Sequence, residues 1–340
     1  MPYSRRVLLA LSGVVVALGV GACATEGAED TPADDAEADT VTEISYATSF
    51  GTFGRDAYVY VADAHGHFED AGLEVDIVPG GGSVDNAQLI AQGQLEFAPI
   101  DFASTAIVRA NEEVPVKIVS FVHQDALTAI LAPEGAGIEE PGELEGRTLA
   151  GAPAGADTLL FGPYADAAGF DGDAVDFRPT EPPQLPQILA GGEADAVQQF
   201  VVGIPLFEQA TDDDIVAFPY ADHIPDLPGL GIAASDDLIE EDPELITRFV
   251  TALNHGLQEA LDDPEEAATV MEERVDEVDV DIAARELEIM RDYVVTDYTE
   301  EHGLGHIDES RLESLLDTAE EAFELEQPVS LDEVYEPLAP

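Results

Sequence analysis

The chain has 340 residues, of which 45% are hydrophobic, and its 73 acidic residues outnumber 12 basic ones to give a formal net charge of −61. This length and apolar content predict about two globular domains and exclude a chain that is disordered overall. So negative a surface repels phosphate backbones, which excludes nucleic acid as a partner. Molar salt shortens the Debye length to about 3 Å and screens the self-repulsion, so the charge indicates a protein adapted to high salt.

Most of the carboxylates are expected at the solvated surface. Acidic runs such as Glu240-Glu241 and Asp212–Asp214 are therefore not interpreted as catalytic or metal-binding sites. Lysine is nearly absent, since Lys117 is the single lysine beside eleven arginines.

The first 22 residues have the pattern of an export signal. Two arginines precede an apolar run from Val7 to Ala22. At about 1.5 Å rise per residue this run is too short for a hydrocarbon core of about 30 Å, which predicts a cleaved signal peptide. The segment Val20-Gly21-Ala22-Cys23 resembles the lipobox of bacterial and archaeal lipoproteins. That resemblance implies lipidation of Cys23 and anchoring at the outer face of the cell membrane.

Two alternatives stay open in this region. Cys23 is an ordinary thiol if the segment is a plain secretory signal, and Arg5-Arg6 also resembles a twin-arginine signal, so the export route is undetermined. As the only cysteine, Cys23 excludes internal disulfides and paired-thiolate metal sites. Residues 23–42 are mostly small, acidic or polar, which predicts a disordered tether.

From Glu43 the hydrophobic pattern alternates between strands and helices. Strands are predicted at Ile44–Ala47, Leu73–Val78, Leu95–Ile100, Val116–Val122, Thr148–Ala150, Ala174–Phe177, Asp195–Gln199 and Ile215–Phe218, and helices at Tyr58–Phe68, Val84–Ala91, Ala103–Ala110, Thr158–Ala168 and Gln184–Leu189. We therefore expect an α/β fold with mainly parallel sheets covered by helices on both faces. A helical tail is predicted from Pro243 onward, because Ile246, Phe249, Val250, Leu253 and Leu257 form an apolar stripe at three-to-four-residue spacing.

Several segments occur in an order that resembles one family. They include Glu69-Asp70-Ala71-Gly72-Leu73, Pro79-Gly80-Gly81-Gly82-Ser83, Ala91-Gln92-Gly93-Gln94-Leu95 and Leu189-Ala190-Gly191-Gly192-Glu193. Over residues 43–297 the chain resembles solute-binding proteins of ABC transporters for alkanesulfonates, nitrate, riboflavin and thiamine-pyrimidine precursors, which are similar to pyrimidine synthases in fold.

The resemblance implies a two-lobed, type II periplasmic-binding-protein fold. Lobe 1 would be discontinuous, with residues 43–130 and 223–340, and lobe 2 would comprise residues 131–222. We expect the lobes to close on a small heterocyclic or anionic solute about crossovers near Ala129–Pro133 and Pro219–Asp222. The expected partners are an ABC permease and its ATPase subunits, and the expected state is a monomer without a cofactor.

Ligands of open α/β sheets bind beyond the carboxyl ends of the strands, where turns and helix N-termini offer free N–H groups. The candidates at such positions are Phe50, Arg55, Gly81, Gly82, Ser83, Asp101, Phe102, Ser104, Asp157, Thr158, Phe200 and Tyr220. Arg55 suits bidentate binding of an oxyanion, or alternatively a salt bridge with Asp56 or another acid. Asp101 and Asp157 suit hydrogen bonds from ring nitrogens or hydroxyls. The glycines are alternatively a tight turn only, and the aromatic residues alternatively core.

Three histidines, His65, His67 and His123, lack a paired-ligand spacing with a buried acid, so we expect them at the surface or in packing and predict no metal site. The alternative function is a pyrimidine-synthase-like enzyme of the same fold, which uses a histidine, a pyridoxal-bearing lysine and a cysteine-rich iron motif. The single cysteine and the position of Lys117 within a predicted strand favour a binding protein without catalytic residues.

Overall fold

The computed structural model describes residues 41–224, 226–276, 278–323 and 325–339. The predicted signal peptide, Cys23 and all but the end of the predicted tether lie outside these residues. Among the helices in the described ranges, none has the length and apolar character that crossing a membrane requires.

The strands of the described chain are short and fall into two larger groups. They are β1 (Thr42–Ala47), β2 (Phe50–Gly51), β3 (Leu73–Val78), β4 (Gly80–Gly81), β5 (Ala98–Asp101), β6 (Val116–Phe121), β7 (Thr128–Pro133), β8 (Thr148–Gly151), β9 (Asp176–Pro179), β10 (Ala196–Phe200), β11 (Ile215–Pro219) and β12 (Leu230–Ser235).

Helices alternate with these strands and then dominate the C-terminal part. They are α1 (Ala57–Ala64), α2 (His67–Asp70), α3 (Ser83–Ala91), α4 (Phe102–Glu112), α5 (Ala156–Leu159), α6 (Phe161–Ala168), α7 (Leu185–Ala190), α8 (Ile204–Thr211), α9 (Asp236–Glu241), α10 (Pro243–Asp262), α11 (Pro264–Glu272), α12 (Val280–Val294), α13 (Asp297–His302), α14 (Glu309–Ala322) and α15 (Leu331–Val334). A 3-10 turn, Gly54–Asp56, precedes α1.

Apart from the short antiparallel pair of β2 and β4, the strands form two separate sheet systems. In the first, β1 pairs with β3 in parallel, and β12 lies between β5 and β6, antiparallel to both. A bridge between Tyr46 and Phe97 connects β1 to the segment before β5. The second system is a five-stranded sheet in the order β11-β7-β10-β8-β9, in which β7 runs antiparallel to both of its neighbours.

Each sheet system thus contains one strand that runs antiparallel to its neighbours, β12 in the first and β7 in the second. At these two strands the sheets differ from the parallel arrangement that we expected for most of them. Neither β7 nor β12 was predicted as a strand, and the chain enters each from the other sheet system without a preceding crossover helix. Neither strand pairs with the strand that precedes it in the chain, so its direction is set by its pairing with strands of the sheet system that it enters. The remaining strands of the five-stranded sheet share one direction, as predicted.

Two predicted elements in the first part of the chain differ from the observed ones by more than two residues at an end or by an interruption. The helix predicted over Tyr58–Phe68 is interrupted at Gly66, whose positive φ of 80° ends α1 and starts α2. The strand predicted from Leu95 starts three residues later, at Ala98. The interruption leaves a corner between α1 and α2 that faces α10.

The first helix of the tail, α10, packs into the first sheet system. Its predicted apolar stripe is buried, and Phe249 stacks on Phe97 with ring centroids 4.1 Å apart. Gly256 lets α10 approach α1 closely, because a Cβ atom there would lie 2.5 Å from the Tyr58 carbonyl oxygen. The helical tail is therefore part of the core beneath the first sheet system.

Candidate functional site

Arg55 is a fully enclosed cation in the 3-10 turn Gly54–Asp56. Its side chain is 1% exposed, and its guanidinium carbon lies 4.7 Å from the ring centroids of both Phe53 and Phe200. One terminal nitrogen donates to the Phe50 carbonyl at 2.9 Å, while Nε and the other terminal nitrogen have no hydrogen-bond partner. Because unpaired buried donors are costly, these two N–H groups are available to a ligand.

Two buried carboxyl groups lie next to this guanidinium. Glu286 of α12 accepts a hydrogen bond from the Arg55 backbone N–H at 3.2 Å, and Asp56 accepts one from the Phe53 N–H at 3.0 Å. Burial raises the pKa of Glu286 to about 7 and also raises the pKa of Asp56, although the Arg55 charge opposes both shifts. The Arg55 side chain donates to a main-chain carbonyl, not to Asp56 as the alternative interpretation expected.

Asp101, at the end of β5, is the N-cap of α4. Its Oδ1 accepts hydrogen bonds from the backbone N–H of Ser104 at 3.0 Å and from the Ser104 hydroxyl at 3.3 Å, while its own N–H donates to the Ser83 hydroxyl at 3.1 Å. Burial raises the pKa of Asp101 to about 6 despite these hydrogen bonds. The structure thus brings the predicted site residues Ser83, Asp101 and Ser104 together, and their hydrogen bonds mainly join α3 to α4.

Asp157 lies in the first turn of the short helix α5, beside the other sheet system. Its Oδ1 accepts from the Thr158 N–H at 3.1 Å, whereas Oδ2 is buried without a partner. Burial raises the pKa of Asp157 to about 7. The charge of Asp101 raises this pKa further, whereas the charge of Arg55 lowers it. Asp157 therefore holds one free acceptor, or one free donor when protonated, close to Arg55.

The glycine turn is a close contact between the two sheet systems. Gly81 pairs with Phe50, and Gly82 has φ of +116° with no room for a side chain, since a Cβ would lie 2.7 Å from the Ala154 carbonyl oxygen. The N–H of Val84 donates to that same carbonyl at 3.2 Å. The amide that directly follows the candidate residues Gly81, Gly82 and Ser83 is therefore used by the protein itself.

The predicted aromatic residues lie in different surroundings. The rings of Phe50 and Phe200 lie beside Arg55, with their centroids 6.0 Å apart. The ring of Phe102 instead packs against that of Phe121 in the core of the first sheet system, with centroids 6.2 Å apart. Tyr220 stacks on a second tyrosine, and its hydroxyl donates to the backbone carbonyl of Asp157 at 2.9 Å.

His123 was not among the predicted site residues and was expected at the surface or in packing. Its ring is 2% exposed and neither ring nitrogen has a partner. Burial, together with the Arg55 charge, lowers its pKa to about 3, so the imidazole is neutral. His123 follows the end of β6 by two residues, and the strand-end rule that selected Asp101 would also have selected it.

Unpartnered polar atoms from both sheet systems gather around Arg55. Thr128 Oγ1 on β7 is buried and unpaired, and Thr128 is the register partner of Phe200, whose ring lies against the Arg55 guanidinium. Native structures leave few such groups without a partner. We refer to Arg55, His123, Thr128 and Asp157 as the unpartnered polar cluster. It offers several donors and one free carboxyl oxygen inside an aromatic enclosure, which is the chemistry of a small-molecule site.

A cavity of about 310 Å³ lies beside Phe53 and Glu286, two residues that contact Arg55. Phe53, Gly54 and Glu286 line it together with residues of α7 and α8. Both sheet systems therefore contribute to the cavity wall as well as to the cluster.

Comparison with known proteins places these features in a family. A family model described as "NMT1/THI5 like" matches residues 56–267. The formylaminopyrimidine-binding protein of Halalkalibacterium halodurans is 25% identical over 271 residues, covering 78% of this chain and 79% of that protein. The riboflavin-binding protein RibY of Chloroflexus aurantiacus is 25% identical over 332 residues, covering 87% of each chain.

Solved structures confirm the predicted fold class. The alkanesulfonate-binding protein SsuA of Xanthomonas axonopodis pv. citri, bound to MOPS, superposes with a TM-score of 0.67 at 12% sequence identity, over 87% of this chain and 98% of that one. The fold is accordingly the two-lobed α/β fold of periplasmic binding proteins. Since the family model spans more than half of the chain, the protein belongs to the NMT1/THI5-like family.

Proposed function

We propose that this protein is the extracytoplasmic solute-binding component of an ABC importer, and that its lobes close on a neutral nitrogen heterocycle of the thiamine-pyrimidine-precursor or flavin class. The observation that carries the proposal is the unpartnered polar cluster. Its donors and its carboxyl group come from both sheet systems and meet in a water-excluded enclosure. A planar ligand with ring nitrogens and a carbonyl oxygen would satisfy these atoms between Phe50 and Phe200.

The charges around the cluster favour a neutral solute over an oxyanion. Four carboxyl groups in this region, Asp56, Asp101, Asp157 and Glu286, are buried, and Arg55 is the one buried arginine or lysine in the described part of the chain. A sulfonate or nitrate would add a further negative charge to a buried region of low dielectric constant. In this region the ionised form of the protein's own carboxyl groups is already disfavoured. A heterocyclic N–H donating to Asp157 Oδ2 and a ring carbonyl accepting from Arg55 would add no charge. Of the two relatives described above, one is named as a formylaminopyrimidine-binding protein and the other as a riboflavin-binding protein. Their names thus give a pyrimidine and a flavin as ligands.

We further propose the division of the chain into lobes that would move against each other. Lobe 1 comprises residues 43–127 and 223–339, and lobe 2 comprises residues 128–222. Compared with the sequence-based bounds, the first crossover lies earlier, because β7 pairs with β10 and β11 in the five-stranded sheet. Residues 122–127 and 223–229, which connect the sheet systems, would act as the hinge.

The location and partners follow from the N-terminal pattern and the family. We propose export, lipidation at Cys23, a tether of about twenty residues, and delivery of solute as a monomer to a permease with ATPase subunits. The acidic surface would keep the protein soluble at high salt. The alternative, a pyrimidine-synthase-like enzyme, has little support in the described residues, because Lys117 lies in β6 with its ammonium group 3.7 Å from Glu336.

A ligand screen in molar salt tests the proposed solute class. We expect formylaminopyrimidine or riboflavin to raise the melting temperature of the mature protein, because a ligand at 100 times its Kd adds about 2.7 kcal/mol to the free energy of unfolding. Alkanesulfonates and nitrate at equal concentration should give no shift. Stabilisation by sulfonates alone would contradict the heterocycle proposal, and turnover of any of these compounds would contradict the binding-protein proposal.

A further inference from the structure

A second cluster of ligand-type side chains lies at the corner between α1 and α2, apart from the residues around Arg55. His65 Nδ1 is 2.6 Å from one carboxylate oxygen of Glu259, and His67 Nε2 is 3.1 Å from the other. The three ligand atoms all lie within 4.8 Å of one another. Two imidazoles and a carboxylate thus converge on one point of the surface.

The backbone explains why sequence spacing did not reveal this group. The left-handed conformation of Gly66 separates α1 from α2 and places the histidines on both sides of it next to α10. Glu259 lies on α10, 194 residues beyond His65. His255 lies one helical turn before Glu259, and its ring centroid is 5.2 Å from that of His67.

We propose that His65, His67 and Glu259 bind a Zn²⁺ ion, with His255 or water in the fourth position. Zn²⁺ takes imidazole nitrogens and carboxylate oxygens at about 2.0–2.2 Å in tetrahedral geometry, which separates neighbouring ligand atoms by about 3.3 Å. The two contacts to Glu259 are slightly shorter than this separation, and small side-chain rotations at the surface would open them. Two imidazoles select a transition metal over Mg²⁺ or Ca²⁺, which prefer oxygen ligands.

The surroundings of the three side chains suit a metal ion. His67 Nε2 is closed off from solvent and has no aligned hydrogen-bond partner, although Glu259 lies nearby. Depressions of about 310 and 320 Å³ flank the group, one beside His65 and Glu259 and the other beside His67 and His255, so a metal would be reachable.

Calorimetric titration of the metal-free mature protein with ZnCl₂ in molar NaCl tests the site. We expect one saturable equivalent, weakened about tenfold or more in both His65→Ala and Glu259→Gln. These side chains are 38% and 44% exposed, so both variants should fold, and circular dichroism would verify this. His302→Ala, which alters an exposed histidine on α13, is the matched control and should bind like the unmodified protein.

X-ray absorption at the zinc edge should show nitrogen and oxygen neighbours at about 2.0–2.1 Å, including imidazole. MgCl₂ in excess should not displace the ion. Unsaturable binding that is equal in all variants would mean that the ion only associates with the acidic surface, and would overturn the proposal. Absence of any zinc-dependent heat would overturn it as well, leaving the cluster a histidine–glutamate hydrogen-bonded pair.

Discussion

Replacing Arg55 with alanine is expected to weaken binding of the heterocyclic solute by about 100-fold or more, which corresponds to about 2.8 kcal/mol. The reason is that Arg55 offers two buried, unpaired N–H groups, and its plane is fixed between the rings of Phe53 and Phe200. Charge-assisted hydrogen bonds in a dry enclosure are among the stronger polar contacts that a protein makes with a ligand. Arg55→Lys should recover little affinity, because an ammonium group cannot reproduce the planar fork.

The matched control is Arg178→Ala on the second sheet system. Unlike Arg55, Arg178 has a carboxylate partner, Glu193 at 2.7 Å, and the two side chains are 38% and 56% exposed. Affinity should stay within about twofold of the unmodified protein, since an exposed ion pair contributes little. Melting temperatures of all variants would show whether a loss of binding reflects unfolding. An Arg55→Ala protein that folds and binds normally would remove Arg55 from the site.

Glu286→Gln is expected to stabilise the ligand-free protein above pH 7 by an amount on the order of 3 kcal/mol. Burial raises the folded-state pKa of Glu286 to about 7 from an ordinary value of 4.5. The folded protein therefore binds more protons than the unfolded chain between these pH values, and its stability falls as the pH rises from about 4.5 to about 7. Glutamine keeps the acceptor for the Arg55 N–H without ever becoming charged.

Chemical denaturation of both proteins between pH 4 and 9 measures this difference. The two curves should coincide at low pH, separate up to about pH 7 and run parallel above it, because Asp101 and Asp157 contribute equally to both proteins. Glu193→Gln, a change at an exposed glutamate, should leave the pH dependence unchanged. A Glu286→Gln protein that is less stable at pH 8 would show that its charge is needed to compensate Arg55.

The fold class was predictable from the sequence because it depends on repeated local patterns. Alternating strand and helix periods predicted the layered sheets, and the apolar stripe including Phe249 predicted a buried tail helix. The reversed strands β7 and β12 were not predicted, since both lie next to the crossovers, where the chain order gives no sign of direction. Direction there depends on tertiary pairing, which hydrophobic periodicity does not encode.

The candidate site was predictable only in part. The strand-end rule located Arg55, Asp157 and Phe200, which the structure brings close to one another. Phe102 satisfied the same rule and yet packs in the core, because a strand-end position does not fix the direction of a side chain. Glu286 lies 231 residues from Arg55, and the acidic background of the chain concealed it among surface glutamates.

The most direct measurement is a crystal structure of the mature protein with formylaminopyrimidine or riboflavin bound. We predict electron density between Phe50 and Phe200, with the ligand within hydrogen-bond distance of the Arg55 guanidinium and of Asp157 Oδ2. Ligand density elsewhere, with Arg55 and Asp157 still unpaired, would contradict the proposed site and its proposed function together.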